Sequence, residues 1–274
     1  MRLKFGLKII GNNEQLLSDS IKFVDTDMFD YIELLIPPTF NLSNKILNKI
    51  SKIKLILHCP HENYGVDIGR KEKREFTIKM IKKSLQWMEK TNAIYLIIHC
   101  GTGNIEVAKE NLKLFKDYKD LILLENMPMI GLNGEICLGY NAKSFRDLNV
   151  LNFGLCFDIG HAIKSSISLG VGYRDIILEF MQFNPRIFHI SDGKFDKEID
   201  EHLNIGEGEY DFEFINKIIR KSSSDMITLE TPRNNNIDIN EDLKNLEKLK
   251  NLLVDRKSIT PYFSCFYYQR RTKE

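Results

Sequence analysis

The sequence predicts an α/β protein that folds as one closed (β/α)8 barrel. Eight short apolar runs recur along the 274 residues, and a segment of helical periodicity follows each run. The runs are apolar at consecutive positions, as in LILH, YLIIH and LILLE, which is typical of parallel strands buried on both faces. No linker rich in Pro, Ser or Gly and no shift in composition divides the chain, so we expect a single domain over residues 1–274.

An open, doubly wound parallel sheet is the alternative for the same alternation of strands and helices. The dinucleotide-binding form of that sheet carries a GxGxxG stretch after its first strand. No such stretch follows the first apolar run of this chain. The closed barrel is therefore the better prediction, and a length of 274 residues suits one such domain.

The predicted strands are the apolar runs themselves, and in chain order they cover Leu3–Ile9, Tyr31–Ile36, Leu55–His58, Tyr95–His99, Leu121–Glu125, Gly154–Asp158, Ile187–Ile190 and Met226–Glu230. The predicted helices have apolar residues three or four positions apart, and they cover Glu14–Val24, Ser43–Ile53, Lys71–Glu89, Ile105–Tyr118, Tyr173–Phe183, Asp211–Lys221 and Asn240–Val254. The fifth connection, around Ala142–Leu148, is the weakest helix. Residues 255–274 are aromatic and then basic, and this C-terminal extension either packs across the barrel bottom or frays.

Composition limits the classes of function that fit the chain. Hydrophobic residues make up 43% and charged residues 28%, as in globular proteins with a large core. The net charge of +1 provides little long-range attraction for a polyanion, so a nucleic-acid substrate would need locally clustered basic residues. The five cysteines are odd in number and lack CxxC spacing, and no apolar stretch is long enough to cross a membrane. We expect free thiols, a cytoplasmic location and no membrane association.

Six of the eight apolar runs end in a residue type that binds metal ions. These residues are His58, His99, Glu125, Asp158, His189 and Glu230. A single histidine at the end of a strand is more often a hydrogen-bonded core residue. However, all strands of a parallel barrel end on the same face, where active sites lie, so six such side chains should converge there. Buried carboxylates are also costly unless they are paired or bound to a cation.

Two further groups extend this set of candidate ligands. The stretch DIGH places His161 shortly after Asp158, on the turn that opens the next connection. The stretch FHISDGKFDKEIDEHLNIGEG places Asp200 and His202 in the loop after the seventh strand. A mixture of imidazoles and carboxylates without thiolates suits Zn²⁺, Mn²⁺ or Fe²⁺ better than Mg²⁺ or Ca²⁺. The candidates exceed the needs of one ion, so we expect two or three ions with a bridging carboxylate.

The chain resembles the xylose isomerase-like TIM barrel superfamily, and its candidate ligands are closest to those of the endonuclease IV family of apurinic/apyrimidinic endonucleases. The most specific similarities are GLCFDIGHA at 154–162, FHISDGK at 188–194 and DEHLNIGEG at 200–208. The resemblance implies three zinc ions. The first would be held by His58, His99 and Glu125; the second by Glu125, Asp158, His189 and Glu230; and the third by His161, Asp200 and His202.

The resemblance implies two competing activities. In the nuclease members, a metal-bound hydroxide hydrolyses DNA 5′ to an abasic site. In the isomerase and epimerase members, a single divalent ion binds the quartet that includes Glu125 and Glu230, and those two glutamates act as acid and base on a sugar or sugar phosphate. His58 and His99 favour the multinuclear hydrolase, since a single-ion site does not need them as ligands. The loops after His99 and Glu125 depart from the nuclease pattern, so a small phosphate or sugar substrate is the alternative to abasic-site DNA.

Two weaker candidates, both for substrate binding, lie near the rim. His61 follows the first ligand by three residues, and Arg70 opens a basic stretch that could contact phosphates. The alternative for the basic stretch is a solvated helix face with interspersed glutamates. A barrel that binds metal only for structural reasons is a third class of function. The many carboxylates at an open rim argue against it, because structural zinc sites are closed.

Overall fold

The computed structural model describes residues 2–235 and 237–253, and these residues form one closed barrel of eight parallel strands. This confirms the predicted fold. The strands in chain order are β1 Lys4–Ile10, β2 Tyr31–Leu35, β3 Leu55–His58, β4 Tyr95–His99, β5 Ile122–Glu125, β6 Gly154–Asp158, β7 Ile187–Ile190 and β8 Met226–Leu229. The predicted extension at residues 255–274 lies outside the described residues, so its order stays untested.

Helices surround the barrel, and at least one follows each strand. They are α1 Glu14–Asp25, α2 Asn44–Ile50, α3 Arg74–Thr91, α4 Ile105–Lys113, α5 Ala142–Leu148, α6 Ile159–Leu169, α7 Tyr173–Met181, α8 Phe212–Lys221 and α9 Asn240–Leu253. Short 3₁₀ turns lie at Glu62–Tyr64, Lys71–Lys73 and Lys116–Tyr118. The last of these turns replaces the end of the longer helix that we predicted over Ile105–Tyr118.

The sequence prediction missed helix α6. Only one helix was predicted between β6 and β7, but α6 begins directly after β6 and α7 follows it. Most of the first two turns of α6, from Ile159 to Ser166, is buried. Its polar residues Lys164, Ser165 and Ser166 are buried as well, so this helix lacks the exposed polar face that is typical of a surface helix.

The pairing of neighbouring strands brings their C-terminal ends level with one another. In the parallel register, His99 on β4 lies opposite Glu125 on β5, and Asp158 on β6 lies opposite His189 on β7. Because the strands pair in sequence order around a closed barrel, these side chains meet at one mouth although they are far apart in the chain.

Below this mouth the barrel interior is filled by apolar side chains. Tyr31, Ile56, Ile97, Leu123 and the neighbouring buried residues of β6, β7 and β8 form a cluster separate from the larger core between strands and helices. A Cβ atom at Gly6 would lie 2.1 Å from the ring of Tyr31, so that position of β1 must be glycine. Apolar side chains fill the lower layer, so the polar side chains of the barrel interior lie at its upper end.

Among residues 2–235 and 237–253, no helix combines the length and the apolar character that are needed to cross a bilayer.

Candidate metal centre

The carboxylate of Glu125 lies at the centre of the polar barrel mouth. Its Oε2 atom is 3.0 Å from Nε2 of His58 and 3.6 Å from Nε2 of His99. Its Oε1 atom is 3.3 Å from Nδ1 of His189. Glu125 is almost fully buried, and each of its oxygens faces a different set of imidazoles. This is the arrangement expected of a carboxylate that bridges two cations.

Glu230 makes the corresponding link on the opposite side of the mouth. It is the first residue after β8, and its Oε1 atom is 3.1 Å from Nδ1 of His189. Its Oε2 atom is 3.2 Å from Nε2 of His202. Nε2 of His202 is in turn 2.9 Å from Oδ2 of Asp200, which is 3.5 Å from Nε2 of His161. The structure thus brings all nine ligands predicted from the sequence together at the barrel mouth.

The residue that places His161 is Asp158. Asp158 ends β6 and also caps α6, because its Oδ1 atom accepts a hydrogen bond of 2.7 Å from the backbone N–H of His161. The sequence had indicated that His161 lies in a turn, but it lies in the first turn of helix α6. The abrupt change from strand to helix holds both side chains at the rim.

The loop between β7 and α8, which carries Asp200 and His202, is organised by a second aspartate. Asp192 is buried, and its carboxylate accepts backbone hydrogen bonds from Gly193, Gly206, Gly208 and Tyr210. These bonds close the loop upon itself and leave its middle section at the barrel mouth.

Lys164 of α6 holds the same loop from the side. Its fully buried ammonium group donates hydrogen bonds to the carbonyl oxygens of Lys194 and Lys197 and to Glu201. Glu201 therefore points away from the centre, while the residues on either side of it point inward. The alternation resembles that of a strand, although His202 has a left-handed φ of 48°.

Four of the five imidazoles have one ring nitrogen held by a protein oxygen. Nδ1 of His58 donates to the backbone oxygen of Cys59, and Nδ1 of His161 donates to the backbone oxygen of Asn126. Nδ1 of His99 donates to Glu62. His189 instead has its outer partner on Nε2, which contacts Oε2 of Glu33. Metal-binding histidines almost always have such a partner, because it sets the tautomer and the ring orientation.

The donor set fits divalent transition metals. Ligand atoms of His58, His99 and Glu125 lie within 4.8 Å of one another, and so do those of Glu125, Asp158, His189 and Glu230. Among the described residues, the buried atoms Oδ2 of Asp158 and Oδ1 of Asp200 have no hydrogen-bond partner. Buried carboxylate oxygens without a partner are costly, and a cation at each would remove that cost. Imidazole with carboxylate is the ligand chemistry of zinc, manganese and iron.

Burial and neighbouring charges divide the imidazoles into two groups. Burial lowers the pKa of His58 to about 4 and that of His99 to about 4, so both rings are neutral and able to bind a metal at pH 7. Burial also acts on His161, but the carboxylates of Asp158 and Asp200 outweigh it and raise the pKa of that imidazole to about 10. The negative charge of these carboxylates therefore favours a cation beside His161.

Several residues of the centre were missed by the sequence analysis. Lys8 and Glu33 lie beside Glu230 and His189 inside the barrel, and neither ends a strand. Their signal was a charged residue in the middle of an otherwise apolar strand, as in YIELL. Cys156 also lies within ligand distance of Glu125 and His189, but burial raises the pKa of its thiol to about 12, so it stays protonated.

A pocket of about 270 Å³ lies directly above the cluster. One side of it is formed by residues 127–137, which we call the β5–α5 wall. The wall folds back on itself through an antiparallel bridge between Ile130 and Ile136, and its end is joined to the β4 loop by the hydrogen bond from Leu138 to Gly101. Met127, Pro128 and other apolar residues of the wall face the pocket, so the metal candidates form the floor and an apolar surface forms one side.

The two weaker candidates have different positions. His61 lines the pocket, and its ring stacks on His99 with the ring centroids 4.8 Å apart. Arg70 instead donates a hydrogen bond from Nε to Oγ1 of Thr102 and is not among the residues that line the pocket. Arg70 therefore supports the β4 loop in this structure, because Thr102 and the nearby Asp67 carboxylate engage its guanidinium.

Comparisons with known proteins place this geometry in context. The family model of the xylose isomerase-like TIM barrel matches residues 27–250. A probable endonuclease 4 of Halothermothrix orenii is 25% identical over 229 residues, covering 74% of this chain and 81% of that protein. A D-tagatose 3-epimerase-like protein superposes with a TM-score of 0.72 at 20% identity, covering 92% of this chain and 97% of the other. Endonuclease IV from Thermus thermophilus gives a TM-score of 0.67 at 17% identity, with 91% and 98% covered. The two structural likenesses show the shared fold.

Proposed function

Because the chain belongs to the xylose isomerase-like TIM barrel family, whose members include endonucleases and epimerases, we propose that it is a metal-dependent phosphodiesterase of the endonuclease IV type, acting on DNA at abasic sites. One observation carries this proposal. The Glu125 carboxylate lies between His58 and His99 on one side and His189 on the other. A single-ion isomerase centre has no need of the first two imidazoles, whereas a multinuclear centre uses both sides of the carboxylate.

Three groups of residues would hold the cations, and the first two groups share Glu125 as a bridge. They are His58, His99 and Glu125; Glu125, Asp158, His189 and Glu230; and His161, Asp200 and His202. Bound cations would supply a water of lowered pKa and neutralise charge on the phosphate in the transition state.

The protein's own contribution is orientation and a partly dry pocket. The outer hydrogen bonds hold the imidazole rings in place, and Glu230 links His189 to His202 across the mouth. The β5–α5 wall excludes water from one side of the pocket, which strengthens electrostatic interactions at the floor. Zn²⁺ is the ion we expect, with Mn²⁺ or Fe²⁺ as alternatives that suit the same ligands.

The second candidate is a sugar or sugar-phosphate isomerase or epimerase with one divalent ion. It is favoured by Lys8, the one lysine or arginine among the described residues that line the pocket. Lys8 contacts Glu230, and a lysine beside a proton-transferring glutamate suits the polarisation of a substrate carbonyl. In this candidate, Glu125 and Glu230 would move a proton on the carbon next to that carbonyl.

The test uses a DNA duplex that contains a single tetrahydrofuran residue, which is an abasic-site analogue that cannot undergo β-elimination. We expect the zinc-loaded protein to nick this strand on the 5′ side and to leave a 3′ hydroxyl that a polymerase can extend. The matched substrate is the same duplex with an intact nucleotide, which should remain uncut. No cleavage at any zinc or manganese concentration would contradict the nuclease.

The isomerase is tested in deuterated water with a panel of ketoses and ketose phosphates. Exchange of the proton next to the carbonyl, read by NMR, would support this candidate. If exchange occurs, His58→Ala separates the two centres, because it removes a ligand that only the multinuclear hydrolase needs. Retained exchange in His58→Ala, together with about one ion per chain, would favour the isomerase.

A further inference from the structure

Glu33 is a fully buried carboxylate inside the barrel, in the middle of β2. Its Oε2 atom accepts a hydrogen bond of 2.9 Å from Nε2 of His189 and one of 2.8 Å from Oγ1 of Thr228. The ammonium group of Lys8 lies 3.4 Å from its Oε1 atom. The hydroxyl of Tyr31 shares a hydrogen bond of 3.0 Å with Thr228, so Glu33 is held by a network that extends down into the barrel core.

This contact determines which nitrogen of His189 faces the candidate metal centre. Because Nε2 is engaged by Glu33, Nδ1 is the nitrogen that lies 3.3 Å from Glu125 and 3.1 Å from Glu230. The imidazoles of His58 and His99 have the opposite arrangement, with Nδ1 on the outer partner and Nε2 toward Glu125. The reversed arrangement of His189 is therefore specific to its contact with β2.

We propose that Glu33 is a positioning residue of the metal centre. By accepting the proton of Nε2, it keeps the Nδ1 lone pair of His189 directed at the ion that Glu125, Asp158 and Glu230 would also hold. Carboxylate partners of metal-binding histidines set the tautomer in this way and make the ring a stronger ligand. The proposal rests on the proposed metal centre, but it does not depend on whether the reaction is phosphodiester hydrolysis or isomerisation.

The rival explanation is that Glu33 serves only as the counter-ion of Lys8. A buried carboxylate is expensive unless it is paired, and Lys8 would satisfy that need alone. The two explanations predict different effects for Lys8→Met. This change removes the ion pair but leaves the contact between Glu33 and His189, so under the proposal it does not weaken metal binding.

The first experiment measures zinc affinity by competition with a chromogenic chelator for the wild type and for Glu33→Ala, Glu33→Gln and Lys8→Met. Glu33→Ala should weaken one ion by about 10- to 100-fold and leave the other ions unchanged. Glu33→Gln should lose less affinity, because its amide oxygen can still accept from Nε2. Asp67→Asn is the matched control, since Asp67 is a buried carboxylate that binds backbone N–H groups and Thr102 rather than an imidazole.

The second experiment reads the tautomer of His189 directly by long-range ¹⁵N–¹H NMR of histidine-labelled protein. The zinc-loaded wild type should show a proton on Nε2 that is shifted downfield by its hydrogen bond to Glu33, and Glu33→Ala should lose this downfield shift at His189 alone. Unchanged affinity and an unchanged Nε2 proton shift in Glu33→Ala would overturn the proposal, as would weakening by Lys8→Met equal to that by Glu33→Ala. A wild-type chain that binds no divalent ion would overturn the proposed function as well, whereas equal binding by the wild type and Glu33→Ala would overturn only the role of Glu33.

Discussion

Nε2 of His202 lies 2.9 Å from Oδ2 of Asp200. Glu201, which stands between them in the chain, points away from the barrel mouth and contacts Lys164. The left-handed φ of 48° at His202 turns its ring back toward the barrel mouth. Such a backbone conformation is uncommon for residues other than glycine, and it persists only where surrounding contacts hold it. The local geometry is thus specialised to bring two side chains of one loop to the same point.

We expect His202→Ala to remove one ion per chain and to reduce nicking of abasic-site DNA by at least about 100-fold, since loss of a ligand should exceed the loss caused by an outer partner. Metal content by mass spectrometry and the initial nicking rate measure the two effects. His61→Ala is the control, because His61 lines the same pocket but is outside the proposed ligand groups. Equal metal content in the wild type and His202→Ala would contradict the role of His202 as a ligand.

Removal of metal should destabilise the barrel mouth. Chelation leaves the buried oxygens of Asp158 and Asp200 without a cation, so we expect the Tm to fall by roughly 5–10 °C, from about 3 kcal/mol of lost binding free energy. Differential scanning calorimetry before and after dialysis against a chelator measures this shift. Added Zn²⁺ should restore the Tm, while added Mg²⁺, which prefers oxygen ligands, should not. A Tm that is insensitive to chelation would contradict the prediction.

Lys164 should be essential for the loop that carries Asp200 and His202. We expect Lys164→Met to destabilise the protein by about 1–3 kcal/mol, because it removes the ammonium group that binds two backbone carbonyl oxygens and one of the charged partners of Glu201. Urea denaturation measures this loss. The same substitution at Lys143, whose pair with Asp147 lies on the surface, should change stability little. Similar stabilities for the two variants would show that Lys164 does not hold the loop.

The four cysteines within the described residues, Cys59, Cys100, Cys137 and Cys156, should resist modification in the folded protein. Each is buried and free, and burial raises the pKa of Cys59, Cys137 and Cys156 to about 12 and that of Cys100 well above its usual value. A Cys265→Ser variant isolates these thiols. It should show no rapid reaction with a disulfide reagent at neutral pH and full reaction after denaturation. Rapid reaction of the native variant would contradict the burial of these side chains.

The fold could be predicted because its pattern is repetitive and local. Seven of the eight connections contain one α-helix each, as predicted. The predicted strands match the observed strands within about a residue at most ends. Helix α6 could not be predicted, because Ile159, Ala162 and Ile163 pack on one side while Lys164 and Ser166 are also buried. The burial of Lys164 depends on partners in the loop after β7, and the sequence does not show those partners.

The candidate ligands could be predicted because strand ends share one face of a parallel barrel. The roles of Glu33 and Lys8 could not, since a charged residue within an apolar strand indicates a buried polar group but does not identify its partners across the barrel. Glu33 meets His189, which is 156 residues away in the chain. The identity of the ligand nitrogen in His189 likewise depends on this contact and not on any local motif.

The β5–α5 wall, residues 127–137, contributes to the pocket but contains none of the proposed ligands. Its bridge between Ile130 and Ile136 and its attachment to Gly101 make it a self-contained unit. A change in this segment can therefore alter which molecule the pocket accepts without changing the candidate ligands beneath it. Because loops carry selectivity while the barrel supplies a rigid support, replacement of residues 127–137 as one unit offers a route to a new substrate preference on the same floor.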